Sequence, residues 1–243
     1  MSNLYKNETI QKAIILSAGK GKRLGNLTKE IPKPMVSINN APILEHNIKM
    51  CKAFGISKIY INTHHLSKKI TDYFNDGSKF DLNIFYNNEK DLLGTAGALE
   101  PFKDLIEQEP FLVIYGDNYY YKNDLNKIFQ FHLRKKSKFT IQVHWKDDCS
   151  ESGRIICDKN NVLTDIFEKE SRAAPIAGYV NSGIYIINDI KMIEQYICKG
   201  ADFAFDVIPQ VIKKNSIYIF KTDEKIYSID SIELLNNAIK ELE

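Results

Sequence analysis

The sequence predicts an α/β fold in which a mostly parallel, mixed sheet is flanked by helices on both faces. Apolar runs of strand length alternate with longer segments of helical periodicity through the first half of the chain, a rhythm typical of βαβ units. Two of these runs, 12–17 and 111–115, lead directly into glycine-containing turns. In a parallel sheet such turns meet at the carboxyl ends of the strands, where ligands bind.

The first half supplies the alternating elements. Pro42 and Gly55 bracket a segment whose apolar residues recur at helical spacing, and these are the residues that favour a helix start and a helix stop. Strands are predicted at 12–17, 58–62, 82–86 and 111–115, and helices at 42–54, 66–75 and 95–105.

The second half has a different pattern, because strand-like runs follow one another with few helices between them. Strands are predicted at 139–145, 154–157, 162–167, 179–187 and 217–220, and helices at 202–213 and 231–242. No repeat, low-complexity linker or composition change divides the chain. We therefore predict one domain, 1–243, whose second half faces a substrate.

Composition excludes several classes of protein. The 243 residues carry 33 Lys and Arg against 31 Asp and Glu, without the basic excess typical of a nucleic-acid-binding protein. No apolar run reaches the ~20 residues of a membrane helix, and the first residues lack the apolar segment of a signal peptide. We expect a cytoplasmic protein with no nucleic-acid or membrane partner. The abundance of Ile, Lys and Asn suggests a bacterial source. The widely spaced cysteines are predicted to be free thiols.

The turn after the first strand, SAGKGKRL, has the composition of a phosphate site. Gly19 and Gly21 allow a ligand to approach the backbone, whose successive N–H groups can cradle phosphate oxygens. Lys20, Lys22 and Arg23 add positive charge. The turn matches neither GxxxxGK[ST] nor GxGxxG. Taken alone, it could equally be a strand–turn–helix connection with solvated lysines.

Two further segments suit the same chemistry. In EIPKPM, two prolines hold Lys33 in an extended loop from which it can reach the same phosphates. In YGDN, Asp117 follows a buried strand beside Gly116, and magnesium prefers one or two carboxylates together with phosphate oxygens and water. Taken alone, a surface lysine and a turn aspartate explain these residues as well.

In this order, the motifs resemble the sugar-1-phosphate nucleotidyltransferases, also called NDP-sugar pyrophosphorylases, and especially the mannose- and heptose-1-phosphate guanylyltransferases. The resemblance begins near residue 12 and continues to the end of the sequence. It also includes the segments NEKDLLGTAGAL, IFEK, VNSGIY, FDVIPQVI and YSIDSIELL. It implies a Rossmann-like, GT-A-like nucleotidyltransferase fold, with a nucleotide-binding half at about 12–120 and a sugar-phosphate-binding half at about 121–243.

The resemblance implies that a sugar 1-phosphate attacks the α-phosphorus of an NTP and displaces pyrophosphate, with Mg²⁺ as cofactor, for a bacterial surface polysaccharide. The implied catalytic residues are Arg23, Lys33, Asp117 and Lys169. The implied nucleotide-binding residues are Leu16, Ala18, Gly19, Lys20, Gly21, Lys22, Arg23, Glu89, Gly94 and Thr95. The implied sugar-binding residues are Asn118, Gly153, Glu168 and Asn181. The implied metal ligands are Asp117 and Asp230.

The second metal ligand departs from the family pattern. Ser228 occupies the position where the family carries a carboxylate, and Asp230 occupies the position of a family glycine two residues later. A hydroxyl is a poor ligand for Mg²⁺, whereas a residue two positions along a strand faces the same side. Either residue could complete the site, with Asp230 named as the ligand.

The base preference depends on Glu89, five residues before Gly94, where uridylyl- and thymidylyltransferases commonly carry Gln. A carboxylate only accepts hydrogen bonds, and guanine offers two adjacent donors, N1–H and the 2-amino group. A binding site rejects the base that leaves its polar groups unpaired. GTP is therefore favoured, while UTP, dTTP and CTP remain alternatives.

Two other functions stay open. One is a cytidylyltransferase acting on a non-sugar phosphate such as phosphocholine, against which the resemblance of Glu168, Lys169 and Asn181 to a sugar pocket argues. The other is a catalytically weak nucleotide-sugar-binding regulatory protein, which Ser228 favours and the presence of Arg23 and Asp117 disfavours. A homo-oligomer is compatible with the sequence, which gives neither the sugar nor the oligomeric state.

Overall fold

The computed structural model describes residues 9–150, 152–167 and 176–242. The strands are β1 (Lys12–Leu16), β2 (Ser37–Ile38), β3 (Ala41–Pro42), β4 (Lys58–Thr63), β5 (Asn83–Asn88), β6 (Phe111–Tyr115), β7 (Asn118–Tyr120), β8 (Phe139–Lys146), β9 (Arg154–Cys157), β10 (Leu163–Phe167), β11 (Gly178–Ile187), β12 (Tyr218–Thr222) and β13 (Ile226–Ser228). The α-helices are α1 (Leu27–Glu30), α2 (Ile43–Phe54), α3 (Ser67–Phe74), α4 (Lys103–Ile106), α5 (Leu125–Arg134), α6 (Ile208–Val211) and α7 (Ile232–Leu242).

Nine of these strands form one mixed sheet, so the predicted α/β class is confirmed. Seven of them lie in the order β10-β9-β11-β6-β1-β4-β5. Strand β8 also pairs with β11, and β12 pairs with β8. The neighbours β6, β1, β4 and β5 are parallel. The sheet turns antiparallel at β11, which runs against β6, β8 and β9. The parallel part thus belongs to the first half of the chain, and most pairs of the second half are antiparallel.

The central strands are buried on both faces, because successive side chains of a strand point to opposite sides. Ile14 and Val113 pack into one core cluster with the segments after β5 and β11, whereas Ile15 and Ile114 pack into another with α2, α3 and α5. All four side chains are fully buried. This double burial explains the nearly continuous apolar runs that predicted β1 and β6.

Several helical segments differ from the prediction. The helix predicted at 95–105 is a 3-10 turn at Gly97–Phe102 followed by α4, because Pro101 lacks the N–H that a helix interior needs. The helix predicted at 202–213 is a π-helical turn at Phe203–Val207 followed by α6. Helix α5 was not predicted, although Asp124 caps it by accepting a hydrogen bond from the Asn126 amide.

The longest helix of the described residues, α2, has 12 residues, and a bilayer needs about 20. No helix in residues 9–150, 152–167 and 176–242 is therefore long and apolar enough to cross a membrane. Helix α2 ends as predicted at Gly55, whose φ of 104° lies in the left-handed region that closes helices at little steric cost to glycine.

Strand β11 is irregular where it changes neighbours. Its register against β8 shifts between Asn181 and Tyr185, and its partner on the other side changes there from β9 to β6. Gly183 takes a φ of 77°, and a Cβ at this position would lie 2.5 Å from Cγ of Tyr115. The irregularity is therefore fixed by close packing of a glycine backbone against a tyrosine ring.

A two-stranded antiparallel ribbon, β7–β13, stands apart from the main sheet. Ser228 pairs with Asn118, Tyr227 with Tyr119 and Ile226 with Tyr120. The sequence did not predict this ribbon. It brings the residues that follow β13 beside the turn between β6 and β7, because an antiparallel pair aligns the end of one strand with the start of the other.

Candidate active site

The carboxyl ends of β1, β4 and β6 lie side by side, since Leu16 is in register with both Asn62 and Tyr115. A cavity of about 320 Å³ opens at this edge, within the size range of small-molecule sites. It is lined by Leu16, Ala18, Gly19, Asn62, Glu89, Leu92, Gly94, Thr95, Tyr115, Asp117, Gly200 and Asp202. Most residues of the predicted nucleotide set therefore share one cavity at the edge expected for a ligand.

The glycine turn is shaped by the segment that follows it. Gly21 has a φ of 60°, and a Cβ there would lie 2.9 Å from Cγ2 of Thr28 and 3.0 Å from Cβ of Lys33. The Thr28 hydroxyl donates to the Gly21 carbonyl at 3.1 Å. A Cβ at Gly19 would meet no atom within 4 Å. The turn thus folds tightly at Gly21 and leaves the backbone at Gly19 accessible to a ligand.

Four charged side chains meet beside this turn. The Lys33 Nζ donates to Oδ2 of Asp117 at 2.6 Å and to Oδ1 of Asp230 at 2.7 Å. The Nη2 of Arg23 lies 2.9 Å from the same Asp230 oxygen. The Lys33 side chain is only 7% exposed, that of Arg23 is 68% exposed, and both carboxylates are about one-third exposed. The buried lysine therefore bridges two carboxylates that remain open to a ligand.

The β7–β13 ribbon explains why Asp230, 197 residues away from Lys33, reaches it. Asp117 immediately precedes β7, and Asp230 follows β13 by two residues. Ser228 itself is the last residue of β13 and pairs with Asn118. Of the two residues that the sequence left open, Asp230 places its carboxylate on the same lysine as Asp117.

These contacts keep Lys33 and Asp230 in their charged forms. Burial alone would lower the pKa of Lys33, but the charges of Asp117 and Asp230 outweigh it and raise that pKa. Burial would likewise raise the pKa of Asp230, but the charges of Lys33 and Arg23 outweigh it and hold that pKa below its ordinary value. At neutral pH, Lys33 is therefore an ammonium and Asp230 a carboxylate.

The donor set fits magnesium. Magnesium is held by one or two carboxylates and completes its octahedron with water and phosphate oxygens. Asp117 and Asp230 already converge on one cation, the Lys33 ammonium. In the described ranges, no three His, Cys, Asp or Glu side chains group closely enough to hold a metal between them. A metal at Asp117 and Asp230 would thus depend on a substrate for its remaining ligands.

Glu89 is a buried carboxylate at the end of β5, 5% exposed. Its Oε1 accepts from Nδ2 of Asn62 at 2.7 Å, and its Oε2 accepts from the Leu93 amide at 2.9 Å. Asn62 in turn accepts from the Ser17 amide at 2.8 Å through its Oδ1. One protein donor therefore faces each oxygen of Glu89, and each oxygen keeps a second lone pair.

The loop that carries Gly94 and Thr95 is held by a distant segment. A Cβ at Gly94, whose φ is 82°, would lie 2.2 Å from the Ala201 carbonyl. The Thr95 hydroxyl donates to Oδ2 of Asp202 at 2.7 Å and accepts from the Phe203 amide at 2.9 Å. Thr95 thus lines the cavity while its hydroxyl fixes the loop.

Three of the predicted sugar-binding residues, Asn118, Gly153 and Asn181, are not among the residues that line this cavity. Asn181 donates to the Tyr185 hydroxyl and accepts from the Gly183 amide, at the irregular point of β11. Asn118 is buried and donates to the Ser182 carbonyl at 3.2 Å. Gly153 immediately precedes β9.

Glu168 and Lys169 lie outside the described residues.

Four residues that the sequence analysis missed belong to the site or border it. Asn62, Tyr115 and Asp202 line the cavity. Lys146, the last residue of β8, donates to Ser152 at 3.2 Å, and its charge lowers the pKa of Asp230 together with Lys33 and Arg23. Tyr115 begins the YGDN segment that was noted only for Asp117, whereas Asn62 and Lys146 are single polar residues near strand ends that belong to no motif. Asp202 had a signal, as the N-cap at the start of the helix predicted at 202–213.

The chain is similar to known proteins over most of its length. A family model described as nucleotidyl transferase matches residues 12–228. The D-glycero-alpha-D-manno-heptose 1-phosphate guanylyltransferase of Aneurinibacillus thermoaerophilus is 28% identical over 95% of this chain and 98% of its own length. The UTP–glucose-1-phosphate uridylyltransferase of Synechocystis sp. is 29% identical over 83% of this chain.

The chain spans just over half of that uridylyltransferase, 55% of its length. Among solved structures, HddC from Yersinia pseudotuberculosis complexed with GMP-PN superposes with a TM-score of 0.80 at 27% identity. The superposition covers 96% of this chain and all of HddC. The similarity to the guanylyltransferase and to HddC therefore includes both halves of the fold.

Proposed function

Because the chain belongs to the nucleotidyl transferase family, we propose that it transfers GMP from GTP to a sugar 1-phosphate and releases pyrophosphate. The observation that carries this proposal is one cavity lined both by Asp117, of the lysine–carboxylate cluster, and by the buried Glu89. The lysine–carboxylate cluster supplies charge for the reacting phosphates, and Glu89 supplies hydrogen-bond acceptors for a base. The two lie at the carboxyl ends of parallel strands, where both parts of a nucleotide can bind at once.

The reaction requires positioning and charge neutralisation. An oxygen of the sugar phosphate bonds to the α-phosphorus while the bond from that phosphorus to the bridging oxygen of the β-phosphate breaks. The electron pair of that bond leaves with pyrophosphate. No base is needed, because a phosphate monoester is already a charged nucleophile. Catalysis then depends on bringing two anions together.

The side chains of the cluster suit these roles. Arg23 is anchored through Asp230 yet exposed, so its remaining N–H groups are free to donate to the leaving pyrophosphate. The open backbone at Gly19 receives phosphate oxygens. Lys33 stays protonated in its buried position and offsets the charge of the phosphates that enter beside it.

Magnesium, when bound, would be held by Asp117 and Asp230 and would neutralise the charge of the reacting phosphates. The support for Asp230 over Ser228 is the shared contact with Lys33. With Arg23, Asp117 and Asp230 all in the cluster, an active enzyme is a better proposal than a regulatory protein. Glu168 and Lys169 stay predictions for the sugar-phosphate side, with Asn118, Gly153 and Asn181.

GTP is proposed because the carboxylate of Glu89 offers acceptors to the two adjacent donors of guanine. The similarity to a heptose 1-phosphate guanylyltransferase and to HddC complexed with GMP-PN supports the same base. The similarity to a uridylyltransferase makes UTP the second candidate. A hexose or heptose 1-phosphate acceptor, a cytoplasmic location and a role in a bacterial surface polysaccharide complete the proposal.

The test is pyrophosphate release by the purified protein with Mg²⁺, using GTP, UTP, dTTP and CTP, each against a set of hexose and heptose 1-phosphates. Release with GTP and one sugar phosphate supports the whole proposal. Release with another NTP supports the reaction and contradicts the base assignment. The absence of release in protein that binds an NTP contradicts the enzymatic proposal. An Asp117→Asn variant provides the inactive control.

A further inference from the structure

Asn62 contacts the side chain of Glu89. It lies at the end of β4, in register with Leu16 of β1. It is 3% exposed, and Glu89 is 5% exposed. Both side chains border the 320 Å³ cavity. Neither the family match nor the chemistry of phosphate transfer gives Asn62 a role, because its side chain is neutral, unlike those of the charged cluster.

The direction of the Asn62 amide is fixed by the backbone of β1. The Ser17 amide can only donate, and it donates at 2.8 Å to the oxygen of Asn62. The NH₂ end of Asn62 must therefore point the other way, and it donates to Oε1 of Glu89 at 2.7 Å. An Asn at position 62 thus presents a donor, and never an acceptor, to residue 89.

The other oxygen of Glu89 also faces a donor, the Leu93 amide at 2.9 Å. The main chain of Glu89 is held as well, since its amide donates to the Thr63 carbonyl at 2.7 Å. A glutamine here would place its NH₂ against Asn62 or against the Leu93 amide, and either choice buries two donors against each other. Asn62 and the Leu93 amide together therefore require an acceptor on both sides of residue 89.

We propose that Asn62 is a specificity-determining residue. It keeps both side-chain oxygens of Glu89 available as hydrogen-bond acceptors and so selects guanine. This inference rests on the proposed nucleotide-binding function of the cavity. The second lone pairs of Glu89 match N1–H and the 2-amino group of guanine. Uracil, cytosine and adenine each place at least one acceptor beside their donor, and an acceptor would face a carboxylate oxygen. Asn62 acts through its hydrogen bond to Glu89, so it is a positioning residue.

The structure provides a compensating pair of substitutions. Glu89→Gln leaves either the Asn62 NH₂ or the Leu93 amide facing a donor. When Asn62→Asp is added, the new carboxylate at position 62 can accept from both the Ser17 amide and the NH₂ of the introduced glutamine. The oxygen of that glutamine then accepts from the Leu93 amide. The matched control is Asn83→Asp, the same change at an exposed position at the start of β5.

The experiment measures two quantities on wild type, both single variants, the double variant and the control. The first is the melting temperature without ligand. The second is the dissociation constant for GTP, ITP and UTP by calorimetry, where ITP lacks only the 2-amino group of the base. Binding, rather than turnover, keeps the readout independent of catalysis.

We expect Glu89→Gln to lower the melting temperature and the double variant to recover most of the loss. Wild type should bind GTP about tenfold more tightly than ITP, since one hydrogen bond is worth about 1.4 kcal/mol. The double variant should lose that tenfold preference and gain affinity for UTP, because a glutamine at position 89 offers both a donor and an acceptor. Asn83→Asp should match wild type in both measurements.

Two outcomes would overturn the inference. One is a double variant no more stable than Glu89→Gln, which would show that Asn62 does not hold residue 89. The other is a wild type that binds ITP or UTP as tightly as GTP. Failure of the proposed function has a different signature. In that case guanine preference and the recovery of stability would both appear, while no NTP released pyrophosphate with any sugar phosphate.

Discussion

The parallel side of the sheet, β1, β4, β5 and β6, differs from the antiparallel side, β8 to β11, in how it positions polar groups. On the parallel side, strand ends in register place Glu89, Asn62 and Asp117 around one cavity. On the antiparallel side, an irregular strand places Asn181 against Tyr185, outside that cavity. Aligned strand ends thus gather polar side chains around one cavity, whereas the register shift in β11 leaves Asn181 outside that cavity.

The largest expected effect tests the two carboxylates that the β7–β13 ribbon brings together beside the parallel side. Asp117→Asn and Asp230→Asn should each lower kcat/KM for pyrophosphate release about 10³-fold, since each removes a charge that suits both Lys33 and magnesium. Ser228→Ala should stay within about threefold of wild type, because its side chain adds no charge. Assays over a range of Mg²⁺ concentrations would check this. Equal loss in Ser228→Ala and Asp230→Asn would contradict the metal-ligand assignment.

The second effect is a pH dependence on the antiparallel side. Burial lowers the pKa of His132 to about 4 and, with the charge of Lys146, lowers that of His144 to about 4, from an ordinary 6.5. The unfolded chain therefore takes up protons on these residues as pH falls below 6.5, and the folded chain does so only near 4. Stability is complete above pH 6.5 and is lost between 6.5 and 4, by about 3 kcal/mol per histidine.

Urea unfolding at pH 7 and pH 5 would measure this loss. His144→Gln should remove about half of the pH dependence and leave the His132 part intact. Equal free energies of unfolding at the two pH values in wild type would contradict the prediction. A loss that appeared only below pH 4 would assign it to carboxylates instead.

The third effect compares two glycines of the same turn on the parallel side. Gly21→Ala should cost about 2 kcal/mol of stability, because of its positive φ and the contacts with Thr28 and Lys33. Gly19→Ala, in open space, should leave stability within about 0.5 kcal/mol while weakening nucleotide binding. Unfolding curves and calorimetry with GTP would separate the two roles. Similar stability losses at both positions would show that the turn is not shaped as described.

The smallest effect tests whether the two sides act independently. The Tyr185 hydroxyl accepts from Asn181 and donates to the Tyr115 hydroxyl at 3.0 Å. Tyr185→Phe should raise KM for the sugar 1-phosphate about tenfold and leave KM for the NTP unchanged. Tyr86→Phe, whose hydroxyl donates to the Asn75 carbonyl, is the control. An equal rise in both KM values would mean that the two sides work as one unit.

Local patterns in the sequence predicted most of the regular elements. The doubly buried strands β1 and β6 were predicted from continuous apolar runs, and α2 from its Pro and Gly boundaries. Helix α5 could have been predicted from Asp124 and the helical spacing of its buried residues Leu125, Ile128 and Phe129. The 95–105 segment is a 3-10 turn followed by a short helix, because Pro101 interrupts the helical hydrogen bonds.

The remaining features depend on pairings between distant residues, which a single sequence does not contain. The proposal of Asp230 rather than Ser228 rests on the register of β13 against β7, more than a hundred positions earlier. The role of Asn62 follows from the direction of one amide from β1. Motifs thus identified segments of the candidate site, and tertiary geometry determined which atom of each segment faces the others.

The bridge from Lys33 to Asp230 also has a consequence for protein synthesis. The lysine is made early, while its second carboxylate partner emerges 197 residues later, which at about 5–20 residues per second is roughly ten seconds or more. Any product of premature termination before β13 lacks both the ribbon and Asp230. The lysine–carboxylate cluster is therefore complete only after Asp230 has been synthesised.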